Sequence, residues 1–265
     1  MYAFNYHKAS SAADAVAKLT AASDGKFLAG GMTLIPTLKQ RLASPSDVVD
    51  LGGAAELKGI KEENGGLTIG AMTTHAAVAA SDVVQRVIPA LATLAGDIGD
   101  AQVRNRGTLG GSVANNDPSA DYPAAVLALG ATVRTTKREI AADDYFQGLF
   151  TTALAEDELI TAIHFPKPEK AAYIKFDNPA SRYAMVGVFV AKTAGGIRVA
   201  VTGAGSDGVF RWAEAEQALA GNFSAAALDG LSVDPGGMNG DIHGSAEYRA
   251  HLVKVMAKRA VQAAG

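Results

Sequence analysis

Asn105-Arg106-Gly107-Thr108-Leu109-Gly110-Gly111-Ser112 is an irregular, glycine-rich stretch with two hydroxyl residues, set between two segments of helical character. Upstream, Ala29-Gly30-Gly31-Met32-Thr33-Leu34 has the same chemistry: a strand end runs through a glycine pair and a hydroxyl residue into a helix. Nucleotide sites need backbone N–H groups converging on phosphate oxygens, and glycine lets the chain come close and take positive φ there. Either loop alone reads as a tight turn with a helix cap. Two such loops together fit a site that holds a pyrophosphate from both sides.

Outward from these loops the pattern is α/β. Ser11 followed by Asp14, with Ala15, Val16 and Leu19 on one face, predicts a capped helix, and Lys26 to Ala29 a short strand. Leu34, Ile35, Leu38 and Leu42 continue at helical spacing, and Asp47 to Leu51 and Leu67 to Ala71 read as strands bounded by glycine pairs. Val83 to Ala95 reads as one helix despite Pro89, and Tyr122 to Leu129 as another with Pro123 in its first turn. Asp121 then stands where an N-cap would, or, within reach of a nucleotide, where an acceptor for ribose hydroxyls would.

From Thr132 strands dominate: Thr132 to Thr135, Leu159 to Phe165, Tyr173 to Phe176, and a hairpin of Met185 to Lys192 with Ile197 to Thr202 across Gly195-Gly196. Helices over Ala213 to Leu219 and Ala246 to Ala263 close the chain. Pro166 and Pro168 mark a linker near 166–171. Gly203-Ala204-Gly205-Ser206-Asp207-Gly208 fits G-x-G-x-x-G, but no parallel strand ending near an acid follows, so it reads as a hairpin strand leaving through a turn.

Composition bounds the chemistry. With 24 Lys and Arg against 27 Asp and Glu, the net charge of −3 offers no basic surface for a nucleic-acid backbone. The absence of cysteine excludes disulfides, thiolate zinc sites, a resident iron–sulfur cluster and a thiol nucleophile. No apolar run reaches the roughly 18 residues of a membrane span, and Met1 to Ala9 has no apolar signal region, so a cytoplasmic location is expected. His7, His75, His164, His243 and His251 share no metal-ligand spacing and read as surface or packing residues. Any catalysis must then come from a bound cofactor, with no catalytic side chain or metal ligand assigned in this chain.

The sequence resembles the FAD-binding medium subunits of molybdenum hydroxylases, the family of aerobic carbon monoxide dehydrogenase and the flavin domain of xanthine dehydrogenase. The resemblance spans essentially the whole chain. It rests on residues 29–34, on Ile69-Gly70-Ala71-Met72-Thr73-Thr74, and above all on residues 104–115 running into Asp117-Pro118 and Asp121; Glu158-Leu159-Ile160 and Tyr173-Ile174-Lys175-Phe176 add to it.

The resemblance implies an α+β, vanillyl-alcohol-oxidase-like (PCMH-type) FAD-binding fold. Residues 1–170 would form the FAD-binding domain, with subdomains of about 1–55 and 56–170, and 171–265 a C-terminal domain with a three-stranded antiparallel sheet and helices. It further implies FAD contacts from Leu28, Ala29, Gly30, Gly31, Met32, Thr33, Leu34, Ile98, Thr108, Leu109, Gly110, Gly111, Ser112, Asp121, Ile160 and Lys175. Residues 28–34 and 108–112 would donate to the pyrophosphate, Asp121 would lie near the ribose or ribityl region, and Ile160 and Lys175 near the flavin ring. Relatives often carry Ser or Thr where Met32 stands, which leaves the backbone N–H as the contact there.

By the same resemblance the partners are a small subunit with two [2Fe–2S] clusters and a large molybdopterin subunit, arranged as a dimer of heterotrimers. The flavin would pass electrons to quinone, O₂ or NAD. Alternative readings are a free-standing flavin oxidoreductase of the same fold and a non-redox scaffold subunit that has lost FAD. The loop 177–182 receives no role.

Overall fold

The structure is a computed structural model that describes residues 1–265. Its strands group into three larger sheets and one two-stranded hairpin. In the first, β1 (Asn5–Lys8), α1 (Ala12–Ala21), β2 (Gly25–Leu28), α2 (Leu34–Lys39) and β3 (Asp47–Asp50) build a small parallel sheet of order β1-β3-β2. Ser11 caps α1 by accepting from the Asp14 N–H at 3.1 Å, as its spacing predicts. Ala15 and Leu19 on the inner face of α1 pack with Val49 and Leu51 into a small core.

The second sheet is antiparallel throughout, of order β4-β5-β10-β6-β7: β4 (Ile60–Glu63), β5 (Gly66–Gly70), β6 (Thr132–Thr135), β7 (Glu139–Ala141) and, later in the chain, β10 (Ile160–Pro166). Between β5 and β6 run six helices: α3 (His75–Ala80), α4 (Asp82–Val87), α5 (Pro89–Gly96), α6 (Ala101–Arg106), α7 (Leu109–Asn115) and α8 (Tyr122–Ala128). The single helix expected over 83–95 is two. Ile88 has φ −139° and ψ 74°, as the residue before proline is pushed out of the α region, and Pro89 restarts the helix in its first turn. The glycine-rich stretch read as irregular contains α6 and α7, each too short for a hydrophobic period to show. After β7, α9 (Ala142–Tyr145) leads to a hairpin of β8 (Phe146–Gly148) and β9 (Thr151–Thr152).

The third sheet joins β11 (Lys170–Asp177), β12 (Ala184–Thr193), β13 (Gly196–Thr202) and β14 (Phe210–Arg211), all antiparallel. The three expected long strands are thus joined by a fourth of two residues. The Gly203–Gly208 loop is the connector that turns β13 into β14, which explains its G-x-G-x-x-G pattern without a nucleotide.

Both faces of this sheet are covered. Ala172, Val186, Val188, Val190, Val199 and Val201 pack with α10 (Ala213–Gly221) and α11 (Ala246–Ala264), while Tyr173, Phe189, Ala191 and Ala200 join the core of the second sheet. Period-2 alternation sends each set to its own side, and double burial is why β12 reads as an unbroken apolar run. No helix is long and apolar enough to cross a membrane.

Candidate functional site

The strand β2 ends at Leu28, and the next residues climb into α2. Gly31 sits at φ +76°, where an L side chain is strained, so the turn needs glycine there. Gly30 is required for a different reason: a Cβ on it would lie 2.2 Å from the Arg106 carbonyl oxygen and 2.7 Å from Gly107 Cα. The two glycine loops are therefore in contact, although 76 positions separate Gly30 from Arg106 in the chain.

The second loop is held differently. Thr108 caps α7, its Oγ1 accepting from the Gly111 N–H at 3.2 Å. His75 N–H donates to Gly107 O at 3.0 Å, Leu109 N–H to Thr73 O at 3.0 Å and Gly110 N–H to Ala71 O at 2.8 Å. A Cβ on Gly110 would fall 2.5 Å from that of Ala71, so glycine permits this seam. The segment 69–74 is thus the dock on which 107–110 rests. With Ser112 N–H donating to Thr108 O at 3.0 Å, every N–H from 109 to 112 is engaged inside the chain.

In the first loop, by contrast, none of the N–H groups from Ala29 to Leu34 donates to a backbone carbonyl. They border a cleft of about 610 Å³, within the usual range for small-molecule sites. Of the residues expected at the site, Ala29 to Leu34, Ile98, Thr108, Gly110, Gly111, Ser112, Asp121 and Ile160 line this cleft. Leu28, Leu109 and Lys175 do not. Leu28 leans under Gly31 and Leu109 is fully buried in the core.

Asp121 is not an N-cap by side chain; α8 begins with no such hydrogen bond. Its Oδ1 instead accepts from the Tyr173 hydroxyl at 2.7 Å and pairs with Lys175 Nζ at 3.0 Å. Burial pushes the Asp121 carboxyl above its ordinary value, and the Lys175 ammonium counters that. Burial, reinforced by Asp121, raises the Tyr173 phenol well above its usual range, so its hydroxyl stays a donor.

Two further groups border the cleft. His75 is buried, packs at a tilt against Tyr122 with ring centroids 5.3 Å apart, and is driven down to about 4 by burial and then by Arg104. It is neutral at pH 7, in keeping with a packing residue. For Glu158 burial acts upward, but Arg138, the Ala155 N–H and the Thr135 hydroxyl together hold the carboxyl at about 2. It is an ionised anchor rather than a proton donor.

Sequence reading missed the far wall, Ser181, Arg182 and Tyr183. There Asn178 Oδ1 accepts from Ala180 and Ser181 N–H at 2.9 and 3.2 Å, and Arg182 N–H donates to Asn178 O at 2.8 Å. This tight loop leaves the Tyr183 side chain 51% exposed beside the cleft. The Asn178-Pro179 pair was the available signal, since asparagine folds such turns with its own side chain.

Residues 2–168 match the family model described as the FAD binding domain in molybdopterin dehydrogenase. The chain belongs to the FAD-binding medium subunits of molybdenum hydroxylases. The carbon monoxide dehydrogenase medium chain of Afipia carboxidovorans is 39% identical to this medium subunit, over 98% of this chain and 96% of that one. The nicotine 6-hydroxylase medium subunit of Paenarthrobacter nicotinovorans is 35% identical, covering 99% of this chain and 98% of its own. A solved structure of Cu,Mo-CO dehydrogenase superposes with a TM-score of 0.90 at 36% identity, covering 100% of this chain and 98% of that one. The fold is accordingly the PCMH-type FAD-binding fold, and the protein is the flavin-binding part of an oxidoreductase complex.

Proposed function

We propose that this medium subunit holds FAD in the 610 Å³ cleft and serves as the electron outlet of its complex. The observation that carries the proposal is the row of N–H groups from Ala29 to Leu34, residues that line the cleft and whose N–H groups no backbone carbonyl accepts. Donors left without partners are costly unless water or a ligand meets them, and a pyrophosphate supplies several charged acceptors at once. Thr108, Gly110, Gly111 and Ser112 line the same cleft. The second loop thus offers shape and hydroxyls, where backbone donation was expected of it.

Ile98, Ile160 and Tyr183 give the cleft apolar and aromatic walls suited to a flat ring. Lys175 has no place at that ring, because its ammonium is already shared among protein oxygens. When bound, FAD would accept electrons from the clusters of a partner and release them to an external acceptor; the residues here bind it, orient it and shield one side of it.

A small [2Fe–2S] subunit, a large molybdopterin subunit, a dimer of heterotrimers, and quinone, O₂ or NAD as acceptor complete this reading. Near-complete coverage of medium chains whose names place them in multi-subunit enzymes supports it over a free-standing flavoenzyme. The test is the absorption spectrum of the chain alone and co-expressed with its genomic neighbours, with the released cofactor identified after denaturation. Free FAD, with cluster absorbance only in the complex, is the expected result. Two colourless preparations would refute the proposal.

A further inference from the structure

The Lys175 side chain is 3% exposed, and its ammonium carries three donors. All three are engaged: Asp121 Oδ1 at 3.0 Å, the Asp97 carbonyl at 2.7 Å and the Arg182 carbonyl at 3.1 Å. These acceptors belong to three separate segments, and each segment supplies a wall of the cleft. Asp97 ends α5 just before Ile98 and Gly99, Asp121 lines the cleft itself, and Arg182 precedes Tyr183.

The register of the third sheet explains how one strand reaches all of them. Lys175 pairs with Gly187, and Gly187 with Thr202, so the three form one cross-strand row on the face that carries Tyr173 and Phe189. Thr202 Oγ1 donates to the Ala120 carbonyl at 2.6 Å and lies 3.1 Å from that of Pro118. Gly187 has no side chain because a Cβ there would stand 2.3 Å from the Tyr173 hydroxyl, which must pass over it to reach Asp121. The row grips residues 118–121 from one side while Lys175 reaches on to residues 97 and 182.

We propose that Lys175 is a positioning residue, whose ammonium lets the C-terminal sheet fix the Arg182–Tyr183 segment against Asp97 and Asp121 and so set the width of the cleft at that end. The proposal deepens the flavin reading, yet the tie is a property of the chain and can be read without flavin. The Arg182–Tyr183 peptide bond is a trypsin site, and its carbonyl oxygen is the atom Lys175 holds. A protease must take that oxygen into its own oxyanion hole, so cleavage requires the tie to open.

The experiment is limited trypsinolysis of the full chain, with cleavage after Arg182 followed by mass spectrometry relative to cleavage after the exposed Arg41. Lys175→Met is expected to raise that ratio at least about tenfold, the population change that a loss of a buried charge contact readily produces. Because Lys175→Met leaves a buried carboxylate uncompensated, Lys175→Met/Asp121→Asn accompanies it and should show the same rise in a stably folded protein. Lys175→Arg keeps the charge on a planar fork that cannot reproduce three converging bonds, and an intermediate ratio is expected.

A ratio unchanged in Lys175→Met and in the double variant overturns the proposal. FAD content of the co-expressed complex forms the second arm. A raised ratio in a protein that takes up no FAD, wild type included, would keep the tie and sink the flavin reading. An unchanged ratio with normal FAD would do the reverse.

Discussion

The two glycine loops share a composition and differ in what they do with their backbone. Residues 29–34 line the cleft and give none of their N–H groups to a backbone carbonyl, whereas residues 109–112 spend theirs on Ala71, Thr73 and Thr108. One loop is open to a ligand and the other is part of the wall. A glycine-rich motif therefore states only that the backbone comes close to something. Whether that something is a phosphate or another strand is decided by which donors remain after folding.

If this division is right, acid should attack the docked loop and spare the open one. The imidazole of His75, whose backbone N–H binds Gly107, is held at about 4 against an ordinary 6.5. Above pH 6.5 both folded and unfolded chains carry it neutral; as pH falls, the unfolded chain binds the proton first, and stability drops until the folded form titrates near 4. That loss is about 3 kcal/mol. Urea midpoints measured from pH 7 to 4 should fall more steeply for the wild type than for His75→Gln.

Next in size, Gly110→Ala should cost the cofactor-free chain about 2 kcal/mol, because its Cβ overpacks the seam with Ala71. Equilibrium unfolding reads this directly, and no change would mean that the seam is not tight. Gly31→Ala should cost about 1 kcal/mol in the same assay through its positive φ, while weakening FAD retention roughly tenfold by turning the donors away. Smallest of all, Met32→Ala keeps its N–H and removes a side chain that is 39% exposed, so FAD retention and stability should stay within about 0.5 kcal/mol of wild type. A large loss there would show that the side chain, not the backbone, makes the contact.

Much of this was legible in the sequence where periodicity or a glycine pair speaks. The strands at 67–71, 159–165 and 185–192 and the long C-terminal helix announce themselves by apolar pattern, and the loops at 29–34 and 104–112 by glycine and hydroxyl content. What could not be read depends on contacts between distant positions. Nothing local distinguishes the committed N–H of Gly110 from the free N–H of Gly30. Asp121 sits where a helix cap belongs, and only the arrival of Tyr173 and Lys175 from the third sheet turns it inward. Tyr183 gained its place at the cleft from a loop whose geometry is set by one asparagine.

On the proposed reading, the open loop receives the cofactor and the docked loop supplies none of its backbone donors. Amide hydrogen exchange on the complex, compared with and without FAD, separates the two loops. The amides of Ala29 to Leu34 should exchange quickly without FAD and become protected when it binds, while those of Leu109 to Ser112 should be protected in both states. Protection that appears at 109–112 on FAD binding, with 29–34 unchanged, would assign the phosphate donors to the other loop.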